Sequence, residues 1–155
     1  MNDLEVRIVQ LEPLHVASAH GFGKEPETIA WNKLLAWAKE KSLLQGPRKP
    51  RFFGFNNPNP SPGSPHYGYE VWMTVGPEVA EEGEIKIKTF GGGLYAVMRH
   101  GGVDDQIPVS WQKLHAWVER SPYSPARHQW LEEHFFDPLP DPVSTTLDLY
   151  MPIRK

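Results

Sequence analysis

The chain has 155 residues, 39% hydrophobic and 12% aromatic, enough to bury one sizeable core, whereas either half alone would be marginally small. A formal net charge of −3 offers no basic field for phosphates and argues against nucleic acid as the main partner. There is no cysteine, hence no disulfide framework or thiolate site. No apolar run approaches the ~18 residues of a membrane span, and no basic-then-hydrophobic leader is seen, so the expected location is the cytoplasm.

In chain order, Val6 to Leu11 and Leu14 to Ala19 read as strands broken at Glu12-Pro13, after which His20-Gly21-Phe22-Gly23 is expected to loosen the chain. From about Glu27 the period changes: Trp31, Leu34, Trp37 and Ala38 share one face at helical spacing, predicting an amphipathic helix that ends near Gly46-Pro47. Arg51 to Phe55 is a short aromatic strand emptying into a proline-rich loop, Asn56 to Pro65, and Tyr67 to Val75 resumes strand character. The acidic stretch Gly76 to Gly83 is a connector.

The second half repeats the programme. Strands are expected over Glu84 to Phe90 and Leu94 to Arg99, a helix from about Val109 to Arg120, and strands over Trp130 to Phe136 and Leu147 to Ile153, with Asp137 to Pro142 as a second proline loop. The repetition is literal in places. Trp31-Asn32-Lys33-Leu34-Leu35-Ala36-Trp37 returns as Trp111-Gln112-Lys113-Leu114-His115-Ala116-Trp117, a spacing of 80 (111 minus 31) that Leu14 and Leu94, His20 and His100, and Phe55 and Phe135 also keep. The expected architecture is therefore α+β: one domain over residues 1–155 with an internal repeat at about 4–76 and 84–155. Two pseudo-twofold-related β-β-α-β-β modules would form a curved antiparallel sheet, with the two helices on one face and a central cleft between them.

Within that cleft the residues that could carry chemistry are few. Alternate residues of a strand share a face, so Trp130, Glu132 and His134 lie together. If that face looks toward the helices, Glu132 is a carboxylate among aromatics, which either takes up a proton or waits for a cationic guest; the same spacing fits a solvated outer face equally. Phe52, Phe53, Tyr67, Tyr69, Trp72, Tyr95, Trp111, Trp117 and Tyr150 outnumber what two helix faces need, and of these Phe52, Trp72, Tyr95, Trp111 and Tyr150 are candidate walls. Glu70 with Trp72, and Asp148 with Tyr150, place an acid and an aromatic on one strand face at corresponding positions of the two halves, a recurrence that favours a cleft wall. Seven histidines stand in no metal-binding spacing, so neither a metal nor a cofactor is expected. Gly91-Gly92-Gly93 is a turn, with no Gly-Lys-Ser/Thr after it.

The segments Phe90 to Gly101, Trp111 to Trp117, Leu131-Glu132-Glu133-His134 and Leu147 to Ile153 resemble, in this order, the GyrI-like small-molecule-binding domain, which is also the effector-binding domain of AraC-type and MerR-type transcription activators. The resemblance implies paired modules around an apolar cleft, with the glutamate of the third strand of the second module as the ligand's polar anchor; that position is Glu132 here. His134 stands where the family usually carries tyrosine, and the family's last-strand aromatic corresponds to Tyr150. Ligand contacts are accordingly expected from Glu132, Tyr150, His134, Trp72, Tyr95, Trp111 and Phe52.

With a first strand near Val6, no helix-turn-helix is expected in this chain, hence no direct DNA binding, and no membrane partner either. The leading functional reading is a stand-alone binder of a hydrophobic, cationic aromatic small molecule, for sequestration or for regulation through a protein partner. Two alternatives compete with it. One is a hydrolase of reactive electrophiles using Glu132 and His134 as acid and base; the other is an interaction module docking through its proline loops.

Overall fold

The computed structural model describes residues 5–44, 49–101, 106–135 and 146–155. The elements run β1 (Val6–Leu11), β2 (Leu14–Gly23), α1 (Pro26–Glu40), β3 (Phe52–Asn56) and β4 (Tyr67–Thr74). They continue as β5 (Lys86–Phe90), β6 (Gly93–His100), α2 (Ile107–Arg120), β7 (Ser124–Pro125), β8 (Leu131–Phe135) and β9 (Thr146–Arg154). Apart from the two-residue β7, which pairs with β9, this is β-β-α-β-β twice.

All pairings are antiparallel, in the order β1-β6-β9-β8-β3-β4-β2-β5, so each half lends its first strand to the other: β1 pairs with β6 and β5 with β2. The two loans form one kinked ribbon. Leu11 faces Gly93 before the kink and Leu14 faces Phe90 after it, so the register runs through unbroken. Gly92 makes the kink feasible: its φ is +79°, and a Cβ there would lie 2.1 Å from the Leu11 carbonyl oxygen. The halves meet a second time where β3 pairs with β8, with Phe53 opposite Glu133. Those residues are 80 apart (133 minus 53), the spacing of the sequence repeat itself, which places the pseudo-twofold through this pair.

Joined at two places, the sheet curls, and both of its faces become apolar. On the outer face α1 packs Trp31, Leu34, Leu35, Trp37 and Ala38 against Ala17, Ala19, Val71 and Met73, while α2 packs Leu114 and Val118 against Ala96, Leu147, Leu149 and Met151. Inside the curl a third cluster joins Leu11, Leu14, Val16, Phe53, Phe55, Trp72, Tyr95, Val97, Leu131 and Tyr150. Each large apolar side chain so buried stabilises the fold by about 1.5–3 kcal/mol.

Three boundaries differ from expectation, each for a local reason. α1 stops at Glu40 because Ser42 takes a left-handed conformation (φ 57°) and the Leu43 N–H turns back to the Ala38 carbonyl; Gly46 and Pro47 lie outside the described residues. The stretch His20 to Gly23 does not loosen but continues β2, since β4 pairs with it as far as Gly23 opposite Tyr67 and satisfies its backbone groups. α2 starts at Ile107, two residues early, with Pro108 in its first turn, a position where the missing N–H costs nothing. The second proline loop, Asp137 to Pro142, lies outside the described residues.

Candidate functional site: a carboxylate between two helices

α1 packs over β2 and β4 and α2 over β6 and β9, so the two helices flank the β3–β8 seam, and the gap between them is floored by the outer-face residues of the central strands. On β8 those are Glu132 and His134, while Leu131 points into the curl. The cleft has a volume of about 640 Å³. Trp31, Tyr67 and Tyr69 bound it from the first module, Ile107, Pro108 and Leu147 from the second, with Glu25, Glu27 and Asn56 at its margins. A second hollow of about 290 Å³ adjoins it, bounded by Trp111, Trp130, Gln129 and Asn59, and Asn56 and Glu132 line both spaces.

The Glu132 carboxylate is held by two neutral donors, one for each oxygen. The Tyr69 hydroxyl donates to Oε1 at 2.7 Å and the Trp111 indole N–H to Oε2 at 3.3 Å. Tyr69 Oη is also 3.0 Å from His134 Nε2. Because the phenol's only proton is given to Glu132, the imidazole must donate, which puts its hydrogen on Nε2. A neutral ring suits its surroundings: burial lowers the His134 pKa to about 4, and the ring meets Trp31 edge-on with centroids 4.9 Å apart. Burial likewise pushes the Glu132 carboxyl above the usual carboxylate range, against the downward pull of the Tyr69 and Trp111 hydrogen bonds. Among the described residues no lysine or arginine comes within ion-pair distance of it.

The acids of the inner face are treated differently. Glu133, next in sequence but on the opposite face, accepts both Arg51 Nε and Nη2 at 2.8 Å and the Tyr150 hydroxyl at 2.6 Å. Glu70 accepts from Lys88, Trp72, Ser18 and Asn57, and Asp148 from Arg7 and Arg99. All three are buried with a cation already in place. Charge compensation thus separates structural carboxylates from Glu132, whose partners are a phenol and an indole.

Of the residues singled out in the sequence, the structure brings Glu132, His134 and Trp111 together at the cleft. Phe52 is 2% exposed and supports the wall from behind, edge-on to Trp31 at 6.1 Å. Trp72, Tyr95 and Tyr150 belong to the cluster inside the curl, on the other face of the sheet. The recurrent pairs Glu70 with Trp72 and Asp148 with Tyr150 are therefore inner-face elements, not a wall of this cleft: the Trp72 indole donates to Glu70 at 2.7 Å, and Tyr150 serves Glu133.

Sequence reasoning named Tyr67 and Tyr69 only among the surplus aromatics, and missed Trp31, Asn56 and Gly54. Two signals were available: Trp31 is the repeat copy of Trp111, and strand alternation puts Tyr67 and Tyr69 on the face opposite Trp72. Gly54 had no signal. It lies on β3 between Tyr69 and Glu132, and a Cβ there would come within 2.3 Å of the Tyr69 hydroxyl oxygen, so its bare backbone is what lets the phenol cross the strand. Gly54→Ala is expected to displace that ring, cost about 1–3 kcal/mol of stability and move the Glu132 titration further upward. Thermal denaturation and carboxyl-resolved NMR titration would check it; an unchanged titration would refute the crossing.

A buried carboxylate between two helices on a curled, twice-built sheet floors a cleft of small-molecule size; among the described residues no helix is long and apolar enough to cross a membrane. Residues 4–154 match the family described as the GyrI-like small molecule binding domain, and the chain belongs to that family. No curated protein matches it in sequence. Solved structures share the fold at low identity. EcmrR, solved in complex with DNA, superposes with a TM-score of 0.72 at 14% identity over 97% of this chain, which spans 57% of the EcmrR chain. A hydrolase from Listeria innocua gives 0.69 at 13%, covering 99% of this chain and 94% of its own. SAV2435 bound to tetraphenylphosphonium gives 0.57 at 13%, covering 97% and 94%.

Proposed function

We propose that this domain is a receptor for hydrophobic, cationic aromatic small molecules, with Glu132 as counter-charge and Trp31, Trp111 and Tyr69 as walls. The observation that carries the reading is the Glu132 carboxylate at the cleft floor, buried without a lysine or arginine among the described residues and with its two oxygens oriented by neutral donors. Such a group has lost water without gaining a cation, and a guest that brings a positive charge restores the missing interaction while ring faces hold its apolar body. SAV2435, a relative in fold, is solved with a hydrophobic cation, which supports the same ligand class here. The function served is sequestration or regulation through a separate protein partner.

The reading is tested by titrating a planar aromatic cation and its neutral isostere against tryptophan fluorescence. The cation is expected to bind at least about tenfold tighter, corresponding to about 1.4 kcal/mol for the charge, and to be recovered chemically unchanged by mass spectrometry. Equal affinities would remove Glu132 as anchor, and steady consumption of the compound would turn the receptor into an enzyme.

A further inference from the structure

We propose that the cleft holds a second anionic anchor, Glu27, and that its ligand carries two cationic centres, one set against Glu132 and the other against Glu27. The proposal rests on the receptor reading above. It starts from β4, where Tyr67 and Tyr69 are two residues apart and so project from one face, with attachment points about 7 Å from each other. Tyr69 donates its hydroxyl hydrogen to Glu132, and Tyr67 donates its own to Glu27. Two tyrosine–glutamate pairs thus stand side by side in the same 640 Å³ cleft, each phenol fixing the direction of a carboxylate.

Glu27 has an ordinary alternative role, since it lies in the first turn of α1, where an acid favours the helix dipole. The helix start, however, has no side-chain cap hydrogen bond, and the Glu27 carboxylate is engaged with Tyr67 on the sheet instead of with the amides of its own helix. Each acid also acts on the other's surroundings. Glu27 contributes to holding the Glu132 carboxyl up, and Glu132 contributes to holding the Tyr67 hydroxyl up. His100 pulls the Glu132 carboxyl down in part, but among the described residues that line the cleft there is no lysine or arginine, and His134 is neutral, so neither carboxylate has a cation in the cleft. A singly charged guest compensates one carboxylate. A rigid guest with two positive ends compensates both, with Trp31 alongside as a ring face for the body that joins them.

The test uses p-xylylene-bis(trimethylammonium) and its singly charged analogue, 4-methylbenzyl-trimethylammonium, titrated into the wild-type chain, Glu27→Gln and Glu132→Gln. The wild type is expected to bind the dication about tenfold tighter than the monocation. Glu27→Gln should weaken the dication about fivefold, as fits a partly solvated charge, and leave the monocation unchanged, whereas Glu132→Gln should weaken both. A dication no tighter than the monocation, or a Glu27→Gln variant that treats the two probes alike, overturns the second anchor while leaving Glu132 in place. If neither probe binds the wild type, the receptor reading fails and this proposal with it.

Discussion

Glu132→Gln is expected to weaken binding of a hydrophobic aromatic cation by about 100-fold, the size typical of removing one member of a desolvated charge pair. The same change should leave the fold intact and remove the carboxyl's contribution to the pH dependence of stability, while leaving either the Trp111 N–H or the Tyr69 O–H facing an amide NH2 that cannot accept it. The sign follows from the direction of the shift. Burial raises the Glu132 carboxyl in the folded protein above its unfolded value of 4.5, so the native state prefers the protonated form. The group's contribution is fully favourable below the unfolded pKa and is lost as pH rises through the folded one. At pH 7 the wild type therefore holds an unfavourable charge that glutamine does not, and against this stands the acceptor that glutamine lacks for one of the two donors. The stability difference between the two proteins should shift in the variant's favour as pH rises through the folded pKa of Glu132. A variant that binds as tightly as wild type, or one whose stability relative to wild type does not change with pH, would contradict the assignment of Glu132 as a desolvated anchor held in readiness for a cation.

Tyr95→Ala separates the inside of the curl from the cleft. Tyr95 is fully buried, edge-on to Tyr150 with centroids 5.4 Å apart and to His128 at 4.8 Å, and its hydroxyl donates to the Gln129 carbonyl at 2.5 Å. Truncation removes that hydrogen bond and opens a cavity among Leu11, Val97 and Leu131, for an expected loss of about 3–5 kcal/mol. For a chain of this length the melting temperature should fall by roughly 10 °C. Measured well below that transition, affinity for the cation should change less than about threefold, because the side chain faces away from Glu132. Trp111→Ala should do the reverse, sparing stability relative to Tyr95→Ala while loosening the ligand, since it removes both a wall and a donor to the carboxylate. Loss of affinity in Tyr95→Ala at a temperature where it is folded would mean that the inner face, not the outer one, takes the ligand.

These two residues mark how far the sequence could be read. Its own regularities determined the doubled β-β-α-β-β order, the apolar faces of both helices and, through strand alternation, the fact that Glu132 and His134 share a face that Glu133 does not. Alternation says which residues go together but not which way they look, and burial could not break the tie here because the curl makes both faces of the sheet apolar. Trp72, Tyr95 and Tyr150 therefore read as well as cleft walls as they do as core. Only the tertiary structure decided between them. The β3–β8 seam brings Tyr69 across the bare backbone of Gly54 to a carboxylate 63 residues away, and it gives the neighbouring Glu133 an arginine that Glu132 lacks. Both outcomes depend on strands paired across the two halves, a geometry that no local pattern of residues encodes.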